Sequence, residues 1–347
     1  MHAMRYHGPG RHSWDEVPDA TLQEDGDVVV RVDAVTICGT DLHILKGDVP
    51  TVEPGRTLGH EAVGTVVEAG SGVRTVAAGD RVLVSCISAC GTCGYCRQQR
   101  YGQCTGGGGW ILGHRVDGVQ AELVRVPFAD RSVYKLPDGV SDERALMLAD
   151  IIPTSYEVGV LNGALQPGQS VVVVGAGPIG LAAVLTARLF SPALVIVADI
   201  ADQRLQAAKS LGADVTVNTS TTSLPDAVRE LTDGLGADLA IEAVGIPETF
   251  EVCADLVRPG GRVANVGVHG KPATLHLERF WISDLTITTG LVDTYSTPTL
   301  LRLVQTGQVD TSPFVTHHFS MRDEFMLAYD VFGRAAETGA LKVMLTR

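Results

Sequence analysis

Four of the seven cysteines of this chain lie close together, and this cluster constrains the local fold more than any other feature. The spacing is Cys90-x-x-Cys93-x-x-Cys96, followed by Cys104. Thiolates at i, i+3 and i+6 can turn inward around one tetrahedral ion, and a fourth thiolate closes the shell. Such a shell has no open position for water or substrate. The cluster therefore predicts a structural zinc site in a lobe at about residues 86–110.

A disulfide cluster is the alternative, and it would require an oxidising compartment. The first residues, MHAMRYHGPGRHSW, contain neither the apolar core nor the cleavage site of a secretory signal. We therefore expect a cytoplasmic protein that binds zinc at this cluster. Two cysteines outside the cluster, Cys86 and Cys253, are expected to be reduced and to have only a structural role.

Length and charge limit the classes of function. A chain of 347 residues exceeds the size at which single hydrophobic cores stop growing, so two domains are expected. The formal charge of −13 opposes binding to nucleic acid or to an anionic membrane. Residues 171–190 are apolar enough to imitate a membrane span, but glycines, a proline and Arg188 favour a buried strand, turn and helix.

The pattern of short elements changes along the chain. β-like runs at 27–34, 62–68, 81–84 and 121–126 indicate an antiparallel, mainly-β domain. From residue 170 onward apolar strands, expected at 170–174, 194–199, 239–242 and 262–266, alternate with helices, which is typical of a doubly wound parallel sheet of the α/β class. The last residues are expected to return to the first domain. We predict a catalytic domain of residues 1–152 and 291–347, interrupted by a Rossmann cofactor domain of residues 153–290.

A glycine-rich motif follows the first strand of the second region. Strand residues 171–174 run directly into the sequence Gly175-Ala176-Gly177-Pro178-Ile179-Gly180, and an apolar helix follows. In this context the first glycine allows a tight turn, the second lets backbone N–H groups reach a pyrophosphate, and the third lets the helix pack closely. The motif predicts binding of a dinucleotide, with the helix N-terminus favouring the phosphates.

The next strand ends at Asp199, at the distance expected for the acidic residue that binds the adenosine ribose hydroxyls. The alternative is an aspartate that only caps the following helix. A carboxylate at this position would repel a 2′-phosphate, so the sequence favours NAD over NADP.

Cys38 and His60 are candidate ligands of a second, catalytic zinc, because such sites draw their ligands from separated loops. Taken alone, Cys38 is better explained as a small buried side chain. Both residues lie in dense motifs, Thr36-Ile37-Cys38-Gly39-Thr40-Asp41-Leu42-His43 and Gly59-His60-Glu61-Ala62-Val63-Gly64.

These motifs give the chain a clear resemblance over essentially its whole length. Gly59-His60-Glu61-x-x-Gly64, with Gly70 and Val73 beyond it, is similar to the zinc signature of the zinc-dependent medium-chain alcohol dehydrogenases. The cysteine lobe and the nucleotide motif occur in that family's order. The resemblance implies a GroES-like catalytic domain and places the chain near the bacterial secondary-alcohol dehydrogenases.

The resemblance also implies a set of zinc ligands. Cys38 and His60 would bind the catalytic zinc. Glu61 would lie beside the metal, either as an alternate ligand or as a carboxylate outside the ligand set that helps water and substrate exchange. Asp150 would be the third protein ligand, where many members carry cysteine. With fewer thiolates the metal should be a stronger Lewis acid.

Other roles follow from the same resemblance. Thr40 would take the proton of the alcohol, and His43 would pass it to solvent by way of the nicotinamide ribose. Arg204 would lie near the adenosine ribose and Lys342 near the pyrophosphate. Val244 and Val268 complete the predicted cofactor-binding residues.

The function implied is reversible oxidation of alcohols, preferably apolar secondary alcohols, to aldehydes or ketones by hydride transfer to NAD, with two zinc ions per chain. Trp110 is expected to line the substrate pocket; the alternative is an ordinary core tryptophan. A polyol or sugar-alcohol dehydrogenase of the same family is the main rival. A zinc-free reductase and a non-catalytic protein of this fold are less compatible with the cysteine lobe and with Cys38 and His60. The resemblance further implies a homo-oligomer, with a tetramer favoured over a dimer.

Overall fold

The structure is a computed structural model that describes all 347 residues. It divides into two compact units, the first formed by Met1–Asp150 and Val292–Arg347, the second by Ile151–Leu291. The domain boundaries predicted from the sequence, after residues 152 and 290, lie within two residues of this division. The C-terminal segment belongs to the first unit, which is therefore built from two separate parts of the chain.

Strands occur throughout the chain. They are β1 (His2–Tyr6), β2 (His12–Glu16), β3 (Val28–Thr36), β4 (Ala62–Ala69), β5 (Arg81–Val84), β6 (Leu123–Val126), β7 (Val133–Lys135), β8 (Ser170–Val174), β9 (Leu194–Asp199), β10 (Val215–Asn218), β11 (Ala237–Glu242), β12 (Val257–Asn265), β13 (Thr286–Thr289), β14 (Val315–Ser320) and β15 (Lys342–Thr346).

The α-helices are short, and a π-helical segment, Ser155–Leu161, follows the fourth of them. They are α1 (Gly39–Lys46), α2 (Ala129–Ser132), α3 (Asp142–Leu146), α4 (Ile151–Thr154), α5 (Pro178–Ala187), α6 (Asp202–Ser210), α7 (Leu224–Leu231), α8 (Pro247–Leu256), α9 (Leu277–Phe280), α10 (Thr297–Gln305), α11 (Phe325–Gly333) and α12 (Ala335–Thr338).

The first unit is organised by a mixed sheet in the order β14-β15-β3-β4-β5-β7, in which β6 also pairs with β3. The valine-rich β3 is almost entirely buried, which its β-branched side chains favour. Val28, Val30 and Val32 contribute to one contiguous core. β3 leads into α1, and β4 begins directly after His60 and Glu61, so these strands position the candidate zinc ligands.

The second unit is a six-stranded sheet in the order β10-β9-β8-β11-β12-β13, and every pair in it is parallel. Relative to the chain this is the strand order 3-2-1-4-5-6 of the doubly wound fold. Four of the five residues of β8 are buried, as expected for a strand covered on both faces. The predicted Rossmann sheet is confirmed, and the chain reverses its direction of winding next to β8.

The apolar segment 171–190 consists of β8, a glycine-rich turn and α5, as the sequence predicted. No helix of the structure is both long enough and apolar enough to cross a membrane.

Candidate metal centres and cofactor site

The four cysteines of the lobe converge on one point. Their sulfur atoms all lie within 4.8 Å of one another, and the Sγ atoms of Cys90 and Cys96 are 3.9 Å apart. Zn–S bonds of ~2.3 Å at tetrahedral angles place neighbouring sulfur atoms about 3.8 Å apart. The donor set and its spacing therefore fit a four-thiolate zinc site.

The local backbone of the lobe stabilises thiolates. The N–H of Cys93 donates to Cys90 Sγ, and the N–H of Cys96 donates to Cys93 Sγ, each at 3.4 Å. The second of these bonds is the main reason that the pKa of Cys93 falls to about 5. Burial instead raises the pKa of Cys96 to about 12. Four thiolates this close repel one another, so a cation is needed to hold all four deprotonated.

A second cluster contains the residues that the resemblance placed at the catalytic metal. One ligand atom from each of Cys38, His60, Glu61 and Asp150 lies within 4.8 Å of the others. Asp150 Oδ2 is 3.5 Å from Cys38 Sγ and 3.5 Å from His60 Nε2. Zn–S, Zn–N and Zn–O bonds of ~2.0–2.3 Å produce ligand separations of about 3.3–3.8 Å. The sulfur, nitrogen and oxygen donors therefore fit a zinc ion.

Separate elements present these ligands. Cys38 follows β3 and is the N-cap of α1, while Asp150 ends a 3-10 turn just before α4. His60 and Glu61 precede β4, and the turn before them requires a glycine. Gly59 has φ +92°, and a Cβ there would lie 2.4 Å from the side chain of Gln120.

A buried network behind Cys38 was missed by the sequence interpretation. Asp41 is 1% exposed, and its Oδ2 accepts the N–H of Cys38 at 2.9 Å and Nε2 of Gln120 at 3.0 Å. Tyr329 in turn donates to Gln120 Oε1 at 2.6 Å. Burial raises the pKa of Asp41, and the positive charge of His60 opposes that rise. Asp41 fixes the start of α1, which fixes Cys38. The sequence signal for this contact was Asp41 itself, because an acidic residue in the first turn of a helix can accept the backbone N–H of the N-cap residue.

The resemblance implied a position near the cofactor pyrophosphate for Lys342, and that role stays a prediction. The side chain of Lys342 is buried in the first unit. Its Nζ donates to Glu61 Oε2 at 2.5 Å and to the carbonyl of Ile37 at 3.2 Å. The buried carboxylate of Glu61 needs a charged partner, and β15 brings the ammonium group of Lys342 to it.

The charges of the second cluster favour a cation. Burial raises the pKa of the Cys38 thiol and of the Glu61 carboxyl. Burial alone would lower the pKa of His60, but hydrogen bonds with Asp150 and Cys38 raise it well above its usual value. Lys342 offsets one of the three acidic groups. A divalent cation can replace the protons that the remaining ones would otherwise hold.

The predicted proton carriers both lie on α1. Thr40 Oγ1 is 3.7 Å from Cys38 Sγ, at the edge of the cluster. His43 lies one turn further on, where its Nδ1 is 2.8 Å from Asp48 Oδ2 and its side chain is 39% exposed. Thr40 thus adjoins the candidate metal ligands, and His43 reaches solvent.

Trp110, the predicted pocket residue, lies near the same cluster. Its ring is edge-on to that of His60, with centroids 6.3 Å apart, and it stacks on His114 at 4.4 Å. It is partly buried and packs against the core of the first unit. Its Nε1 is buried without a partner.

The glycine-rich turn of the second unit has the geometry that its motif predicted. Gly175 has φ +99°, and a Cβ on Gly180 would lie 1.8 Å from the carbonyl oxygen of Gly175. Gly177 is the N-cap of α5, and a Cβ there would meet nothing within 4 Å. The turn therefore leaves open space at the N-terminus of α5, where a phosphate group would be favoured.

The other predicted cofactor residues lie at the carboxyl ends of neighbouring strands. Asp199 ends β9, and its two oxygens accept the N–H groups of Ala176 at 2.7 Å and Ala201 at 2.9 Å. Val244 and Val268 follow β11 and β12, and both are exposed, as ligand-facing apolar side chains would be. Arg204 lies in α6 and makes no side-chain contact within hydrogen-bonding distance.

Comparison with known proteins agrees with both units. Residues 24–138 match the family model described as the alcohol dehydrogenase GroES-like domain, and residues 178–306 match that described as zinc-binding dehydrogenase. The chain is 36% identical to an alcohol dehydrogenase of Cupriavidus necator, with 99% of this chain and 98% of that protein covered.

Solved structures are similar along the whole chain. The apo form of zinc dependent alcohol dehydrogenase 2 from Streptococcus pneumoniae has a TM-score of 0.96 and 46% identity, covering 100% of this chain and 98% of that one. A protein described as a zinc-binding dehydrogenase from Sinorhizobium meliloti, bound to NADP, has a TM-score of 0.88 and 29% identity, covering 100% and 99%. The ligand clusters, the strand order and these matches lead to one conclusion: this chain belongs to the zinc-dependent medium-chain alcohol dehydrogenase family.

Proposed function

We propose that this protein oxidises apolar secondary alcohols, and less efficiently primary alcohols, to ketones and aldehydes, with NAD as the hydride acceptor. The observation that carries this proposal is the cluster of Cys38, His60, Glu61 and Asp150, whose donors fit a catalytic zinc. We also propose that the cysteine lobe holds a second, structural zinc, which gives two per chain.

Zinc at the catalytic cluster would supply Lewis acidity that lowers the pKa of the alcohol. Thr40 adjoins the cluster and would accept the proton that the alcohol loses. His43 lies one turn along α1, is held by Asp48 and is exposed to solvent, so it would pass the proton on. Glu61 is held by Lys342, which keeps its carboxylate charged beside the metal ligands.

The proposed preference for NAD depends on Asp199. Its carboxylate ends β9 and faces the turn that would hold the dinucleotide. The ribose 2′- and 3′-hydroxyls of NAD can donate to it, whereas the 2′-phosphate of NADP would be repelled. Since a similar protein binds NADP, the cofactor must be part of the test.

The proposed preference for apolar substrates depends on Trp110, whose ring lies edge-on to His60 and packs against the apolar core of the first unit. A ring of this size favours small or medium apolar alcohols over polyols, which need several polar partners.

The test is a panel of cyclohexanol, 2-butanol, 1-butanol and sorbitol, each assayed with NAD and with NADP. We expect the highest kcat/KM for a secondary alcohol with NAD. The control variant His60→Gln should lose activity with every alcohol, because it removes a zinc ligand at similar volume. A higher kcat/KM for sorbitol would favour the polyol dehydrogenase, and a higher value with NADP would contradict the cofactor assignment.

We further propose that the protein forms homo-oligomers through the open edge of the second unit. β13 is the last strand of its sheet and pairs only with β12. Large apolar side chains next to it, Leu277, Trp281 and Ile282, are 62–77% exposed. An unpaired strand edge beside such a patch favours pairing with the same edge of a second copy. A tetramer would combine two of these pairs.

A further inference from the structure

We propose that a cavity on the first unit, whose lining includes none of the metal ligands, binds a small dianion that carries a phosphoryl group. The cavity has a volume of about 470 Å³, within the range of small-molecule sites. Four arginines and the N-terminus line it: Met1, Arg5, Arg56, Arg115 and Arg125. In a chain with a net charge of −13, such a concentration of cations points to a function.

Two of the five cations are already neutralised. The N-terminal ammonium group of Met1 is 2.7 Å from Asp19 Oδ1. Arg125 Nη1 is 2.9 Å from Oδ2 of Asp27, a buried carboxylate. The charges of these two cations are therefore balanced by acidic groups of the protein itself.

Two further arginines share one carboxylate. Arg5 Nη1 and Arg56 Nη1 are each 3.4 Å from Asp117 Oδ1, which also accepts the N–H of Thr57 at 2.9 Å. Charge-assisted N–H···O bonds are normally about 2.7–2.9 Å long, so both contacts with Asp117 are weak. Arg5 Nη1 also donates to Thr57 Oγ1 at 3.0 Å. The Nη2 groups of Arg5 and Arg56 make no hydrogen bond within the protein and are not buried, so they remain available as donors on the cavity wall.

The last cation is unpaired. Arg115 is exposed and has no acidic group within 4.0 Å. With Asp117 shared between Arg5 and Arg56, the wall carries two positive charges in excess. A phosphoryl group carries about −1.5 to −2 near neutral pH and three acceptor oxygens. It matches both this charge and the forked geometry of arginine, whereas a monocarboxylate supplies only half the charge.

The test is calorimetric titration of inorganic phosphate into the full-length enzyme, with its nicotinamide cofactor at saturation and ionic strength held constant with chloride. We expect binding that weakens about tenfold in Arg115→Gln and in Arg5→Gln, the loss of one charge-assisted contact. The matched control is Arg302→Gln, an exposed arginine of α10 outside the cavity, which should bind as the wild type does. Because Arg115 is exposed, its replacement should leave Tm unchanged.

Three results would overturn the proposal. They are an absence of phosphate binding to the wild type, equal affinity in the wild type and the Arg115→Gln variant, and an equal loss in the Arg302→Gln control. A parallel titration with succinate tests the ligand class. Tighter binding of succinate than of phosphate would contradict the phosphoryl assignment.

Discussion

We propose that the choice of cofactor depends mainly on one side chain, Asp199. Both of its oxygens accept backbone N–H groups, from Ala176 in the glycine-rich turn and from Ala201 before α6. The carboxylate is therefore fixed in position. Bonds to a charged acceptor contribute about 1.5–3 kcal/mol each, and like charges in contact at an effective dielectric of ~20 cost a few kcal/mol. Together these terms should favour NAD by at least about a hundredfold, which requires ~2.7 kcal/mol.

We therefore expect Asp199→Gly to lower kcat/KM for NAD and to raise it for NADP, without a change in zinc content. Asp199→Asn is the matched variant, because it keeps an acceptor and removes the charge, and it should fall between the two. Steady-state kinetics with both cofactors measure the effect. A wild-type enzyme that already prefers NADP would refute this role of Asp199.

A second prediction at this scale concerns Trp110. Replacing it with alanine removes a large ring beside His60, so bulkier ketones should gain in kcat/KM relative to small ones. Leu235→Ala is the control, because that side chain is 66% exposed and lies in the second unit. An unchanged ratio between bulky and small ketones in Trp110→Ala would show that this ring does not limit the pocket.

At the scale of secondary-structure elements, the turn between β8 and α5 combines two glycines with different duties. A Cβ on Gly180 would collide with the backbone of Gly175, whereas a Cβ on Gly177 would enter open space. Gly180 is thus required for folding, and we propose that Gly177 keeps room for the cofactor.

The two alanine variants should separate these duties. Gly180→Ala should lower Tm by several degrees, because the helix must move away from the sheet. Gly177→Ala should keep the wild-type Tm and raise KM for the cofactor. Thermal unfolding and cofactor titration of both variants measure this. A normal Tm for Gly180→Ala, or an unchanged KM for Gly177→Ala, would contradict the assignment.

The parallel sheet was readily predicted from sequence, because its strands are continuous apolar runs. β8 and β9 have the bounds expected from the pattern. β12 begins earlier than the predicted residue 262, at Val257, because its register shifts and the chain bulges through Gly260 at φ +73°. A proline-glycine sequence normally indicates a turn, so the sequence pattern did not reveal that β12 begins at Val257.

The candidate metal centres were predictable as far as their ligands are concerned. The spacing of the four cysteines was enough for the lobe, whereas Cys38, His60 and Asp150 were assigned together only through the resemblance to the family. The contacts that support these ligands could not be predicted, because they join distant parts of the chain: Tyr329 to Gln120, and Lys342 to Glu61. Such pairs depend on how β15 and α11 pack in the first unit, which periodicity does not encode.

At the scale of the whole molecule, the open edge at β13 predicts self-association. Trp281 and Ile282 are at least 70% exposed beside this edge. The double substitution Trp281→Glu and Ile282→Glu should lower the mass in solution, because charges would then be buried at the interface. Leu235→Glu, at another exposed position of the second unit, is the control. Light scattering after size-exclusion chromatography measures the mass, and an unchanged mass in the double variant would exclude this edge as the interface.

We propose that the two zinc sites serve different purposes, one in catalysis and one in folding. Cys38 belongs to the cluster with nitrogen and oxygen donors, and Cys93 belongs to the closed cluster of thiolates. Loss of a ligand at the first should stop the reaction, and loss at the second should weaken the fold, because closed zinc sites contribute folding energy.

The most direct measurement is zinc content, Tm and alcohol oxidation rate, determined together for the wild type, Cys38→Ser and Cys93→Ser. We predict about two zinc ions per wild-type chain, with most activity lost in Cys38→Ser at nearly unchanged Tm. Cys93→Ser should lose about one zinc and several degrees of Tm, yet keep most of its kcat below the unfolding transition. A wild-type protein with fewer than two zinc ions, or a Cys38→Ser variant as active as the wild type, would rule out this division between a catalytic and a structural zinc.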